Sequence, residues 1–248
     1  MVLQLLVSGS GLRQTGRIAK LSVQGIQHKF RKIANSMRLL NRNLLRSLPP
    51  MPRTLLLDEF ETFEHSSILP VTVPVVIEHR SFAILALSVA PIRRVARLGS
   101  FRRRWLDRHE LANGKRVDRS RAATRRVLGR LTRILRGQPL AMVTDEKATY
   151  ASLIRKMFDG RVRHETVSSR LPRTTYNPLF RINLTEHMLR DSLGRMRRKS
   201  WLISKTQQQL RQHLEIYSAW RNWHRRRTNL DPESLTPGVA LEIGRAHV

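Results

Sequence analysis

An apolar run that stops on carboxylates constrains this chain more than any other feature. Residues 55–64 read LLLDEFETFE: three leucines lead into Asp58 and Glu59, with acids again at Glu61 and Glu64. Lys and Arg number 47 against 18 Asp and Glu, a net charge of +29, so acids gathered in one place need a reason. A short apolar run reads as a buried strand, which places Asp58 at its end, open to solvent and a cation. Residues 140–145, LAMVTD, repeat the pattern and end on Asp145. Side by side, the two strands would deliver Asp58 and Asp145 to one Mg²⁺ site. Alternatively, each aspartate caps the turn or helix that follows it. Two such strands, with an acid-bearing helix downstream, favour the metal site.

The charge also narrows the partner. An excess this large repels itself unless a polyanion is bound, and most of the basic residues are arginines, suited to bidentate phosphate contacts. Nucleic acid is the expected partner. An anionic membrane surface is the competing one, but no apolar stretch reaches the ~18 residues of a span. The first seven residues lack the basic start and cleavage site of a secretion signal. The absence of Cys excludes disulfides and zinc ribbons. With 40% apolar residues in 248, the chain can form one medium domain and a small one.

Residues 1–48 read as a small helical domain. Leu12, Thr15, Ile18 and Ala19 follow helical spacing, Ser22 can cap the next helix, and Val23, Ile26, Phe30, Ile33 and Met37 form one apolar face. Gln24, Gln27, His28, Lys29, Arg31 and Lys32 lie between them. Two short helices with a tight turn, the second polar and basic, suit a helix-turn-helix that enters a major groove. A basic hairpin that only packs on its neighbour is the alternative. Prolines at residues 49–53 mark a linker.

From residue 54 the period changes. Residues 55–60, 71–79 and 82–89 read as three strands, Pro74 marking a bulge or an edge. Residues 92–118 form a basic insertion. From residue 91 to 114 apolar periodicity vanishes, and Arg102, Arg103 and Arg104 suit an exposed loop tracking a DNA backbone. Trp105 reads as the anchor of that loop. Residues 119–135 are helical, 140–145 a strand, the stretch through Phe158 a helix and 161–168 a strand. Long helices follow at 183–200 and 204–227, and the catalytic unit closes at 228. His65 and His79 read as scaffold histidines, and Trp201, Trp220 and Trp223 as core or interface anchors. Arg195, Arg197, Arg198 and Lys199 would clamp DNA near the acids. The tail, 229–248, has little pattern, and its last seven residues, EIGRAHV, read as translated sequencing adapter.

Three strands, helix, strand, helix, strand, helix is the order of a ribonuclease H-like α/β fold. The blocks LLVSGSGLRQTGRIAKLS, LLLDEFETFEH, VTDEKATY and NPLFRINLTEHMLRDSLGRMRRKSW, followed by SKTQQQLRQHLEIYSAWRNW, resemble in this order those of bacterial insertion-sequence transposases of the DDE type. The resemblance implies a mixed sheet flanked by helices, preceded by the helix-turn-helix domain. It also implies two Mg²⁺ ions (Mn²⁺ as a substitute) held by three carboxylates, double-stranded DNA as partner, and a homo-oligomer on DNA in the bacterial cytoplasm. The ligands would be Asp58, Asp145 and an acid on the 183–200 helix. Glu186 shares a stripe with Leu189, Leu193 and Met196 and so faces the sheet; a salt bridge to Arg190 is its other reading. Asp191 lies round the helix. Aligned on Arg198-Lys199-Ser200, the family's glutamate falls at Asn183, one turn earlier. A catalytically inactive, transposase-derived DNA-binding protein and a basic RNA-associated protein are the competing functions.

Overall fold

The computed structural model describes residues 1–93, 99–196, 201–229 and 235–242. Three helices come first: α1 (Val2–Leu6), α2 (Leu12–Ile18) and α3 (Val23–Arg46). Ser22 caps α3 as expected, its Oγ accepting from the Gly25 N–H at 3.0 Å. Then follow β1 (Arg53–Phe63), β2 (Pro70–Glu78), β3 (Ile84–Leu87), β4 (Ala90–Pro91), α4 (Ser100–Asn113), α5 (Ser120–Leu135), β5 (Leu140–Asp145), α6 (Ala148–Phe158) and β6 (Val162–Val167). The chain closes with α7 (Phe180–Ser192), a 3₁₀ turn (Gly194–Met196), α8 (Gln207–Trp223) and α9 (Pro237–Ala240).

The strands form one open, mixed sheet in the order β3-β2-β1-β5-β6, with β4 also on β2. β2 runs antiparallel to β1, whereas β5 and β6 run parallel to it. The architecture is α/β, and helices cover both faces. Leu56, Phe60 and Val143 point to one face, where they meet α1, α3, α7 and α8. Leu55, Leu57 and Met142 point to the other, against α5 and α6. This is the period of two made visible.

Several sequence expectations are corrected. The expected strand over 82–89 is shortened to β3, and β4 begins beyond it at Ala90. Val75 pairs with Leu87 and Thr72 with Ala90, so the interruption faces Val73 and Pro74. Pro74 has no N–H to donate, and its carbonyl alone is used, accepting from Ser88 at 3.1 Å. The basic insertion is not an unstructured loop: residues 100–113 form α4, an arginine-rich helix that ends at Gly114 with φ 76°. It escaped detection because Leu106 alone on it is fully buried, which leaves no apolar stripe to read. Arg93 clamps Glu110 with two bonds of 2.7 and 2.9 Å, and Arg116 meets Glu64 at 2.6 Å. The first pair braces the insertion internally, and the second, with the Arg116 bond to the Pro70 carbonyl at 3.3 Å, ties it to the ends of β1 and β2.

The helix expected over 183–200 spans Phe180–Ser192 instead, and residues 197–200 lie outside the described residues. Leu193 turns extended (φ −107°, ψ 106°). A Cβ on Gly194 would come within 2.1 Å of the Gly9 carbonyl oxygen, so only glycine lets the α1–α2 turn close over this point. The last long helix is likewise shorter, Gln207–Trp223 rather than 204–227. In the tail, α9 presses Gly238 against the Trp223 ring and Leu241 is fully buried.

The second helix expected in the N-terminal segment is a single 24-residue helix. Ile26, Phe30 and Ala34 are buried on it, while Val23 is exposed. Leu6, Val7, Phe30 and Ala34 belong to the same apolar cluster as Leu56, Val75 and Leu214. The segments on either side of the prolines therefore share a core.

Candidate active site

Two strands and one helix bring three carboxylates to one face of the sheet. β1 does not stop at Asp58; it continues to Phe63. What ends there is its neighbour. Leu57 pairs with Thr144 in parallel register, so the next residues, Asp58 and Asp145, stand side by side on strands about 4.8 Å apart. β5 terminates at Asp145, and beyond it that flank of β1 opens. Both aspartates point to the face that carries α7, because Leu56 and Val143, two residues before each, pack there. On α7 the buried residues Ile182 and Leu189, followed just past its end by buried Leu193, share a stripe with Glu186 at helical spacing, which has only 7% of its surface exposed.

The charges feel one another. Burial, together with the Asp145 and Glu59 charges, pushes the Asp58 carboxyl up to about 6, although the Glu59 N–H and Arg173 pull it back. Glu186 rises to about 8, chiefly through burial and then through Asp58, with Arg190 and Arg173 opposing. Its Oε1 is buried without a hydrogen-bond partner. The salt bridge to Arg190 that the i,i+4 spacing offered is not formed as a contact, because the Arg190 guanidinium lies over the Phe60 ring at 5.4 Å. Asn183 is half-buried one turn before Glu186, and Asp191 is exposed.

A hard cation takes oxygen ligands, and the donor set and the orphaned Glu186 oxygen suit one. The three acids are not drawn into a finished cage. Among the described residues, no group of three or more His, Cys, Asp or Glu side chains is arranged to hold a metal ion. Each aspartate is turned onto its own backbone: Asp58 Oδ1 accepts from the Glu59 N–H at 2.7 Å and Asp145 Oδ1 from the Lys147 N–H at 3.0 Å. Like charges facing one another favour such outward rotamers.

Glu59 belongs to the other face, as strand alternation requires. Its carboxylate accepts from Thr72 (2.6 Å), Lys147 (2.8 Å), Tyr150 (3.1 Å) and Thr124 (3.2 Å). It thereby ties β1 to β2, α5 and α6, and its four donors leave little capacity for a metal.

Arg173 was missed by sequence reasoning. It lies in the proline-flanked loop before α7, is exposed, and is close enough to lower both Asp58 and Glu186. No periodic pattern marks a loop residue. Gln24, Gln27, His28, Lys29, Arg31 and Lys32 are all exposed on α3, and Arg102, Arg103 and Arg104 on α4. Arg195 does not face outward as a clamp requires: its guanidinium sits over the Phe30 ring at 5.6 Å and bonds Ser204 at 3.3 Å. Arg197, Arg198 and Lys199 lie outside the described residues.

The backbones of His65 and His79 serve the scaffold. The His65 N–H donates to the Ser204 carbonyl, and the His79 carbonyl accepts from Arg181 at 2.7 Å. Trp220 is buried and Trp223 bonds Asn41 at 2.8 Å, but Trp201 is 98% exposed and anchors nothing in the core. No helix among the described residues is long and apolar enough to cross a membrane. No protein-family model matches this sequence, and no curated protein is significantly similar to it.

Proposed function

We propose that the chain is a DNA transposase of the DDE type, built on a ribonuclease H-like core, which cleaves and transfers DNA strands at the ends of a mobile element. The observation that carries this reading is the convergence of Asp58, Asp145 and Glu186 from β1, β5 and α7 in a strongly basic chain. The sheet order, with antiparallel β1–β3 and parallel β5 and β6, supports the ribonuclease H-like assignment. The N-terminal helices would form the helix-turn-helix, presenting Gln24 to Lys32 to double-stranded DNA. A homo-oligomer on DNA in the bacterial cytoplasm, at the nucleoid, completes the reading.

Asp58, Asp145 and Glu186 would hold the Mg²⁺ ions. Bound there, these would supply an activated hydroxyl and stabilise the leaving oxygen of an in-line displacement at phosphorus. The protein's own part is to gather three carboxylates, among them Glu186, raised to about 8 by burial and then by the Asp58 charge, which would release its proton to solvent on holding a cation. Arg173 and Arg190 stand beside the acids to meet the phosphate. Glu59, Lys147 and Tyr150 hold β1 and α6 in place behind them.

A second reading has its own observation. The acids are not closed into a cage and Asn183 stands at the aligned position of the family's glutamate, which favours a catalytically inactive, DNA-binding derivative.

Nicking of supercoiled DNA in Mg²⁺ and in EDTA, beside duplex binding, tests the first reading. Asp58→Asn should abolish nicking while duplex affinity stays within about twofold, since it changes one charge of many and none of the exposed basic residues of α3. Nicking that survives in Asp58→Asn overturns the enzyme reading. Intact DNA binding with a wild type that never nicks supports the inactive derivative.

A further inference from the structure

Helix α4 carries two aromatic side chains where a helix normally shows only polar ones. Phe101 is 65% and Trp105 54% exposed. They lie at i and i+4, on one stripe, with ring centroids 6.1 Å apart and planes tilted by 47°. Leu106 is buried, against Ile68 and Leu69, and holds the helix down while the aromatic stripe stays outside. Arg102, Arg104 and Arg108 flank the rings, all exposed and without a carboxylate partner among the described residues. Arg103 differs, paired with Asp107 at 3.1 Å.

Beside Trp105 a cavity of about 480 Å³ opens, lined by His65, Ile68, Leu69, Trp105, Arg108 and His109. Its wall is mostly apolar, with Ser66, the arginine and the two histidines as its polar groups. His65 lies seven residues after Asp58 on the same strand and its continuation, so the cavity is at most about 23 Å from the acids.

We propose that α4 and this cavity bind unpaired nucleotides, with a base stacked on Trp105 and Phe101 and the backbone held by Arg102, Arg104 and Arg108. The inference rests on the DNA reading and deepens it. In a paired duplex the faces of the bases are covered by their neighbours, leaving nothing for an aromatic ring to stack on. An unstacked base offers a π-face, and aromatic platforms interleaved with cations are how single strands are held without sequence preference. Charge complementarity selects a polyanion. The concave, ring-lined cavity suits a planar base better than it suits a flat anionic lipid surface.

The test compares the full chain on two oligonucleotides, one fully paired and one with a short unpaired segment carrying 2-aminopurine. Trp105→Ala should weaken binding of the unpaired segment about tenfold and leave the paired duplex within about twofold. It should also abolish the 2-aminopurine quenching that stacking produces. Trp105→Phe should keep both, which separates stacking from misfolding, and Arg104→Ala with Arg108→Ala should weaken the unpaired segment without restoring 2-aminopurine fluorescence. Equal affinity of wild type and Trp105→Ala for the unpaired segment overturns the inference, even when paired binding and Asp58-dependent nicking stand. Loss in Trp105→Ala of binding to phosphatidylserine vesicles, or of self-association, with nucleotide affinity unchanged, also overturns it. A chain that binds neither oligonucleotide removes the DNA reading and this inference together.

Discussion

Glu186 shows how one side chain can be positioned by packing and held under tension by its charge. Its neighbours on the stripe, Ile182, Leu189 and Leu193, are fully buried or nearly so, and they carry the carboxyl into the interior beside Asp58. Burial and Asp58 raise its folded value to about 8 from 4.5. A raised carboxyl keeps its proton in the native state after the unfolded chain has released it. Its penalty is therefore absent below about pH 4.5, grows at about 1.4 kcal/mol per pH unit up to about pH 8, and is constant above that. Asp58 adds a penalty of the same sign over a narrower window, between 3.8 and about 6, and so a smaller total. Glu186→Gln removes the larger penalty. In EDTA at pH 8.5 it should be more stable than wild type by on the order of a few kcal/mol, read as a higher Tm, and equal to it near pH 4.5. Mg²⁺ should raise the wild-type Tm at pH 8.5 and leave the variant unmoved. Superimposable melts across this range would mean that the carboxyl is not held where the structure places it.

At the scale of the element, the exposed edge of the sheet explains a group of otherwise puzzling polar residues. β3 is an edge strand, and an unpaired edge invites aggregation. Here side chains complete it. The Asn222 amide on α8 accepts from the Ile84 N–H at 2.9 Å and donates to the Ile84 carbonyl at 2.9 Å, as a neighbouring strand would. Arg130 donates to the Leu87 carbonyl at 2.8 Å, and Arg126 to the Val89 carbonyl at 3.4 Å. Asn41 on α3 fixes the same amide at 3.0 Å and takes a bond from the Trp223 indole. Asn222→Leu leaves a buried N–H and carbonyl unpaired, and should destabilise by about 2–4 kcal/mol in denaturant titration. It should also speed hydrogen exchange at the Ile84 amide. Arg130→Ala, at a half-exposed site, should cost about 1 kcal/mol. An Asn222→Leu protein as stable as wild type would assign the closure of this edge to the arginines alone.

For the whole molecule, the decisive fact is a core that does not respect the proline break. His213 on α8 is buried between Phe30, whose ring meets it edge-on at 5.5 Å, and the Leu6 carbonyl, 2.8 Å from its Nε2. Burial holds this imidazole down at about 3, neutral at any working pH. Removing residues 1–48 would uncover the face formed by Leu56, Leu214 and Tyr217 and take from His213 Nε2 its partner, the Leu6 carbonyl. Each large apolar side chain lost from such an interface forfeits about 1.5–3 kcal/mol. The truncated protein should therefore aggregate or lack a cooperative thermal transition by calorimetry, although its β1 and β5 acids are intact. A soluble, cooperatively melting 49–248 fragment would restore two independent units. The net charge of +29 acts at this scale too, because it is spread over α3, α4 and α5 rather than confined to one of them.

What the sequence determined by itself is what depends on local period. Apolar runs leading into Asp58 and Asp145 made strands, the alternation sent Asp58 and Glu59 to opposite faces, Ser22 capped α3, and the Glu186 stripe faced the sheet. Each of these follows from a repeat of two or of 3.6 residues, which neighbours in the chain enforce. Tertiary structure decided the rest. It set the level at which β5 ends beside β1, so that Asp58 lies mid-strand and yet is open. It brought Arg173 from a patternless loop to the acids, stopped α7 where Gly194 meets Gly9, and turned Arg195 inward onto Phe30. It also made a helix of residues 100–113, whose stripe of buried side chains is too thin to announce it. These outcomes depend on contacts between residues far apart in sequence, and no local period encodes them.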